Sequence, residues 1–570
     1  ATAMSVTNLF ATLKTIEYPC EVWIAEGTVP AVPLTITNLY PLAIRGGFAG
    51  TETALSERPE GTLTVLDGAN TANCLLKIEN PLARADLEIE RIKFYKARQN
   101  GFIKTGIGSL KVSGCVIEGN GRDVGTVYGR GMNVQSDGYG SLVVSNCVFA
   151  GNRNVTQGDN YGGFGLYIVN FKNALVDRSL FVTNGFDILT PEGTVEGHWG
   201  WCGNNAKGSS IYANNTPITV RDCRFAGNVC PLNAGMGGVI YLAGASSGSV
   251  IDHCAFIGNS EHLSYQAQGS GLFGGCGALV VNLANATDKV SVNHCTFAYN
   301  LTCAGYSAGG ISVVKGDVDI DNSIFWKNFR YNTTTVGYGL DVQVGSSGTA
   351  NIRHSTVTAL DGTALGGAGL TYDPETVFAV DPMLVTTTEA FTNLLKVTSS
   401  KVYYDPSNAT RYEDLASMDA HLLSPAGYVV NDGEAGPATN DYSPAIDHGD
   451  PNADCSNEPA PNGGRLNAGA FGNTAEASFT TIGQPKADVE VLYPNGEPQP
   501  LVRITMGIES GVNYSATVRL VCSTGGVSLV EEIYYGVSAG QVIENKLPLF
   551  LQVGTDYVVS VLVNADGSES

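Results

Sequence analysis

One short phrase returns eight times between residues 115 and 357: Cys or Ser, a variable residue, an aromatic or β-branched residue and, three positions further on, Asn. The copies are Cys115-Val-Ile117 with Asn120, Cys147-Val-Phe149 with Asn152, Ser179-Leu-Phe181 with Asn184, and Cys223-Arg-Phe225 with Asn228. They continue as Cys254-Ala-Phe256 with Asn259, Cys295-Thr-Phe297 with Asn300, Ser323-Ile-Phe325 with Asn328, and a degenerate Ser355-Thr-Val357. A chain built on such a repeat stacks equivalent coils, because each coil can bury its apolar side only against its neighbours. Function must then be sought on the flanks of a stack.

Successive anchors lie 32, 32, 44, 31, 41, 28 and 32 residues apart. Three short strands with their turns use only about 20–25 residues, so the surplus leaves each coil as a loop. A Gly-led strand start precedes the anchors, as in Gly162-Gly-Phe-Gly-Leu166, Gly237-Gly-Val-Ile-Tyr241, Gly277-Ala-Leu-Val-Val281 and Gly309-Gly-Ile-Ser-Val313. Each coil therefore reads anchor strand, Asn turn, variable loop, Gly-led strand, turn and next anchor, which puts every loop on one flank. Asn suits the corner because it tolerates the left-handed conformation, and stacked amides can hydrogen-bond along the axis. The expected internal ladder is Asn120, Asn152, Asn184, Asn228, Asn259, Asn300 and Asn328, beside an aromatic column of Phe149, Phe181, Phe225, Phe256, Phe297 and Phe325. Cys115, Cys147, Cys223, Cys254 and Cys295 share one slot. Their in-register Cβ vectors point the same way, so buried free thiols are expected. Outside that slot, Cys202 with Cys230 and Cys276 with Cys303 are the expected pairs.

The Gly-Gly-x-Ile and Phe-x-x-Asn phrases resemble right-handed parallel β-helix proteins of the pectin-lyase-like superfold, as do Ile44-Arg-Gly-Gly-Phe-Ala-Gly50 and Thr64-Val-Leu-Asp-Gly68. Ser443-Pro-Ala-Ile-Asp-His-Gly-Asp450 with Asn462-Gly-Gly-Arg-Leu-Asn-Ala-Gly-Ala-Phe-Gly472 is similar to the end segment of secreted bacterial β-helix proteins often called choice-of-anchor Q. The resemblance covers roughly residues 20–478. It implies an all-β fold and an extracellular or cell-surface location. It implies no one activity, since the superfold hosts lyases, hydrolases, adhesins and binding proteins. Residues 1–24, with the helix-compatible stretch Leu9–Ile16, are expected to cap the stack. Residues 25–478 form the right-handed parallel β-helix with loop insertions and a terminal cap, in which Asp447 and Arg465 would pair. The alternating strands of 480–570 suggest an immunoglobulin- or fibronectin-like β-sandwich.

A net charge of −22 argues against nucleic acid or an anionic membrane surface as partner. No apolar run reaches the ~20 residues of a membrane helix, so no membrane insertion is expected. A start at Ala1 fits removal of a secretory leader, and the polar end at Ser570 reads as a linker. No C-x-x-C pair and no Cys/His cluster at zinc spacing is present, so neither metal nor cofactor is expected; calcium between acidic loops stays open.

The longest loop, residues 185–210, gathers Glu192, Glu196, His198, Trp199 and Trp201, and adjacent loops bring Tyr161 and Tyr265. Aromatic rings stack on pyranose faces, so Tyr161, Trp199, Trp201 and Tyr265 are expected ligand contacts; tryptophans that pin the loop to the body are the alternative. In an enzyme, Glu192 and Glu196, with His198 beside them, would supply the two carboxylates of a glycoside hydrolase. The superfold's lyases use an acidic calcium site with an Arg or Lys base, and its polygalacturonase-like hydrolases use double-Asp and Gly-His-Gly phrases. Neither set is complete here, Gly197-His198-Trp199 being a partial echo. The expected function is a secreted or cell-surface scaffold for adhesion, assembly or glycan binding, partnered by a glycan, other surface proteins or its own copies. A polysaccharide lyase or glycoside hydrolase working in the loop-lined groove, and a subunit of an extracellular filament or sheath, are the alternatives.

Overall fold

The computed structural model describes residues 12–13, 17–30, 34–37, 40–80, 85–106, 108–121, 129–153, 162–185, 207–232, 237–263, 276–302, 307–332, 335–338, 340–386, 395–398, 401–404, 417–430, 434–439, 441–460, 462–480, 487–492, 501–506, 515–524, 527–538, 541–547 and 558–565. The chain forms two compact units, Ala1–His421 with Ala468–Phe471, and Leu422–Asn467 with Gly472–Ser570.

The first unit is a parallel β-helix. Four rows of strands run along it. An opening row contains Met132–Gln135, Leu166–Val169, Ile211–Asn214, Ile240–Gly244 and Leu279–Leu283, each paired in parallel with the next. A second row contains Ser141–Ser145, Asn173–Asp177, Ile218–Arg221, Ser249–Asp252 and Lys289–Asn293. The anchor row follows with Val148–Ala150, Leu180–Val182, Arg224–Ala226, Ala255–Ile257, Thr296–Ala298 and Ile324–Trp326. In Ile311–Asp321 and Val342–Ile352 the opening and second rows fuse into single strands that carry a bulge between Val313 and Lys315. Sequence reading did not anticipate the fourth row, whose strands Val229–Leu232, Ser260–Leu263, Leu301–Thr302 and Phe329–Asn332 lie between the ladder Asn and the loop. At the start, Thr12 and Leu13 are helical and Leu13 shares the core with Val22 and Ile24. The stack already includes Cys20–Ala25, which pairs in parallel with Leu42–Phe48.

Burial alternates along each strand, as a period of two requires: Leu166 and Ile168 enter the interior while Tyr167 and Val169 face out. The interior is one apolar cluster from Leu13 to Val377. Its axis is the phenylalanine column, with ring centroids 4.6 Å apart for Phe149–Phe181, 4.9 Å for Phe181–Phe225, 4.7 Å for Phe225–Phe256 and Phe256–Phe297, and 4.9 Å for Phe297–Phe325.

Beside it runs the asparagine ladder. Each Nδ2 donates to the Oδ1 of the next rung, from Asn120–Asn152 at 2.9 Å to Asn300–Asn328 at 3.0 Å. The same amide donates backward to an anchor-row carbonyl, as Asn184 does to Phe149 at 2.7 Å, and each backbone N–H also reaches the next Oδ1. The buried amides are thus satisfied along the run. Ala97 N–H closes one end on Asn120 Oδ1 at 2.8 Å, and Asp341 Oδ1 closes the other on Asn328 Nδ2 at 2.9 Å. One expectation is corrected here. The ladder asparagines are not themselves left-handed; the residue before each one is, with φ of 51° at Thr183, 59° at Gly227 and 61° at Gly258. The kink falls one residue early because the Asn side chain must turn inward to reach the axis.

In the second unit, Ala487–Leu492, Leu501–Met506 and Val542–Lys546 form one antiparallel sheet, and Ser515–Thr524, Val527–Ser538 and Val558–Ala565 form another. Val502, Ile504 and Met506 share a core with Val518, Leu520 and Cys522. Of residues 422–478, Ala468–Phe471 fall in the first unit and the rest in the second. Asp447 and Arg465 attract one another but make no direct ion pair. The Arg465 guanidinium donates to the carbonyls of Gly449 at 2.6 Å and His448 at 3.2 Å, while the Asp447 carboxylate accepts from Thr480 Oγ1 at 3.0 Å. The arginine is consumed in closing its own turn.

Candidate functional site

Glu192, Glu196, His198, Trp199 and Trp201, with Tyr161 and Tyr265, lie outside the described residues. The roots of their loops are described. Gly185, where the longest excursion leaves, forms parallel bridges to Arg153 and Val229. The chain returns at Lys207, at 237 and at 276, and each return leads directly into an opening-row strand. The outer face of that row is therefore the floor of the loop-bearing flank.

One column on this floor reads Asn133, Tyr167, Tyr212, Tyr241, Val280, Ser312 and Gln343, in register across successive rungs. The tyrosine rings stack, Tyr167 on Tyr212 at 5.1 Å and 19°, Tyr212 on Tyr241 at 5.9 Å and 38°. Tyr167 and Tyr212 are half-buried. Tyr241 is fully buried and accepts from Asn282 Nδ2 at 2.9 Å; burial holds its hydroxyl above the usual range despite that bond. Lys207 Nζ lies 5.6 Å from the Tyr241 ring centroid, and burial lowers its ammonium from the ordinary lysine value. Tyr241, Ala243, Cys276 and Val280, with Tyr212 and Val314 against them, form an apolar cluster separate from the helix core. Asn214 and Asn282 pair in register with Ala243, and Asn133 and Gln343 lie further along the column. Aromatic rings flanked by amides suit a ligand with both apolar and hydroxyl faces. Among the described residues this face holds no pair of carboxylates. Asp341, just before the strand Val342–Ile352, is buried and committed to Asn328 and to the Thr358 N–H at 2.7 Å.

The sequence carried a signal for this column that went unread: Leu166-Tyr167, Ile211-Tyr212 and Ile240-Tyr241 occupy one slot of the repeat. Variable loop lengths hide it, because the tyrosines are unevenly spaced in the chain.

Two other places are chemically quiet. An open groove of about 670 Å³ near the first rungs is lined by Pro19, Pro41, Ala43, Glu88, Lys111 and Val143. Its charges neutralise one another: Arg45 meets Glu21 at 3.1 Å, Glu88 at 2.7 Å and Glu90, Arg58 also meets Glu90, and Lys111 meets Glu88 at 2.6 Å. The column cysteines are free, buried thiols whose sulfurs sit near the carbonyl two residues earlier, as Cys147 to Ser145 at 3.2 Å and Cys254 to Asp252 at 3.2 Å. Burial pushes the thiols of Cys115, Cys223 and Cys254 far above their ordinary value, so they are poor nucleophiles. Cys202 and Cys303, the outer members of the two expected pairs, lie outside the described residues. Among the described residues no helix is long and apolar enough to cross a membrane.

No family model matches the chain, and no curated protein matches it. Among solved structures it is similar to the enzymatically active domain of tailspike protein 4 from bacteriophage CBA120, at 10% identity and a TM-score of 0.27. That alignment covers 98% of this chain and 61% of the tailspike chain, so this chain spans about three-fifths of the length of the protein it matches. A likeness this distant bears on neither substrate nor activity.

Proposed function

We propose that this protein is an extracellular β-helix scaffold that binds glycan chains along the outer face of its opening row. The stacked column Tyr167–Tyr212–Tyr241 carries the reading. Tyr167 and Tyr212 are half-buried and can set ring edges and hydroxyls against a sugar, next to the fully buried Tyr241, and the flanking amides can donate to and accept from hydroxyls. Trp199, Trp201, Tyr161 and Tyr265 are proposed as further ligand contacts, and adhesion or assembly is the use to which the surface is put. The two antiparallel sheets near the C-terminus act as an immunoglobulin- or fibronectin-like spacer, a role supported by their shared core. The end segment around Ser443–Gly472 is a choice-of-anchor-like terminus to a secreted body.

The test is a glycan array probed with the full chain, followed by titration of any polysaccharide retained. Tyr167→Ala with Tyr212→Ala should weaken binding about tenfold or more, since base-free aromatic stacking contributes on the order of 0.5–1.5 kcal/mol per ring beyond area burial. Unchanged binding in that double variant would move the site off the opening row. Release of reducing ends or of unsaturated uronate, abolished by Glu196→Gln, would replace the scaffold with an enzyme.

A further inference from the structure

A second set of polar side chains lines the corner between the second and anchor rows, one residue before the Cys/Ser slot. It runs Asn146, Arg178, Asp222, His253, His294, Asn322 and His354, each left-handed with φ between 43° and 51°. The residues just before them place Asp177, Arg221, Asp252, Asn293 and Asp321 in register. Arginine settles most of the negative charge. Asp177 meets Arg178 at 2.8 Å and Arg221 at 2.7 Å, and Asp321 meets Arg353 at 3.3 Å and His354 at 2.8 Å.

Asp252 differs. Its register neighbour Arg221 is drawn to Asp177 at 2.7 Å, and its own close ion pairs are with histidine: Oδ1 lies 3.0 Å from His253 Nδ1 and 3.6 Å from His294 Nδ1. One ligand atom from each of the three residues falls within 4.8 Å of the other two. His294 is only 6% exposed, yet neither of its ring nitrogens reaches good hydrogen-bond geometry, Nδ1 meeting Asp252 only as a long charge contact. A buried imidazole with both nitrogens idle is costly, and such groups call for an unseen partner. Asp222, on the preceding rung, adds a further negative charge that acts on His253.

We propose that Asp252, His253 and His294 bind one divalent first-row transition ion of the zinc class, leaving a fourth position to water or a ligand. Two imidazoles and a carboxylate suit zinc; calcium and magnesium demand all-oxygen shells. Metal–ligand bonds of about 2.0–2.2 Å in a tetrahedron put ligand atoms roughly 3.3–3.5 Å apart, close to the 3.0 and 3.6 Å found here. The two imidazoles stack at 4.4 Å and 15°, so their Nδ1 lone pairs run side by side and the rings must swivel toward the ion as it binds. This site owes nothing to the glycan reading.

The full chain, stripped by chelator and dialysed with Zn²⁺, should retain one ion per chain by elemental analysis. Co²⁺ in its place should give the visible bands of tetrahedral nitrogen and oxygen ligation. Asp252→Asn, His253→Asn and His294→Asn should each weaken retention about tenfold or more. The fold accepts these changes, because Asn293 already fills the Asp252 column and Asn146 and Asn322 already fill the histidine column at φ of 51° and 49°. His354→Asn, whose Asp321 keeps Arg353, should leave retention unchanged. No retained ion in the unaltered chain, equal retention in the His253 and His294 variants, or thiolate charge-transfer absorption from Co²⁺ would each overturn the assignment.

Discussion

The two corners of each rung solve one geometric problem with opposite freedom. Where the anchor row turns into the fourth row, a left-handed residue is followed by an Asn whose amide enters the interior and joins an unbroken ladder. Where the second row turns into the anchor row, the left-handed residue keeps its own side chain outside the core, from Arg178 with 62% of its side chain exposed to His294 stacked beneath His253. The inner position tolerates one residue type, because a buried group there must donate twice and accept twice. The outer position holds Gly, Asn, Arg, Asp and His in turn. Repetition has fixed the inside, and chemistry is free to vary on the outside.

The inner corner should break hardest. Asn228 Oδ1 accepts from the Asn184 N–H and Nδ2 at 2.9 and 3.1 Å, and its Nδ2 donates to the Phe181 carbonyl and to Asn259 Oδ1, both at 2.9 Å. Asn228→Ala strands these partners at about 1–3 kcal/mol per buried group, so a loss on the order of 4 kcal/mol or more is expected in urea unfolding. A loss under about 1 kcal/mol would mean that the ladder is decorative. Phe225→Ala removes a ring stacked on both sides and should cost about 3–5 kcal/mol, with hydrogen exchange rising chiefly in adjacent rungs, since a stack couples nearest neighbours.

The ladder's terminus gives a pH test. Burial raises the Asp341 carboxyl to about 6, although Asn328 and Thr358 both donate to it. Below about pH 4 the group is protonated in folded and unfolded chains alike, and its contribution is whole. As pH climbs from there through about 6, the unfolded chain ionises first, so stability falls and then levels off. Melting curves between pH 4 and 7 should show this decline, on the order of 3 kcal/mol, in the unaltered chain. Asp341→Asn should lessen it by about that amount, the remaining decline coming from Asp447 and Glu458, which burial raises to about 7. A profile equally steep in the variant would place the titration elsewhere.

How far the sequence foretold these features follows from where each side chain points. The Phe column and the Asn ladder were legible because every rung needs the same inward residues, so the pattern repeats in the text. The left-handed corners were not, since Thr183, Tyr299 and Lys327 take that conformation against their local preference and only the stack compels them. The fourth row was invisible because strands such as Leu301–Thr302 are too short to show a period. Asp252, His253 and His294 match no linear metal-ligand spacing, so their cluster is not legible in the sequence. It is register, rather than nearness in sequence, that joins residues 253 and 294. The tyrosine column failed to surface for the same cause, its members being separated by loops of unequal length.

The smallest effect gives the sharpest comparison. Arg178 sits at φ 43°, a conformation that Asn146 adopts at 51° in the same slot one rung earlier. Its guanidinium pairs with Asp177, but Asp177 keeps Arg221 at 2.7 Å when Arg178 is removed. Asp177 is buried but still held by Arg221, while Arg178 is largely exposed, so losing this pair costs at most a fraction of a kcal/mol, and Asn relieves some left-handed strain. Arg178→Asn should therefore shift unfolding in urea by no more than about 0.5 kcal/mol, against the several lost at Asn228. A loss above about 1.5 kcal/mol would show the outer corner to be as tightly specified as the inner one. The histidines would then read as further rungs of a structural ladder, and their claim to a metal ion would rest on the binding measurement alone.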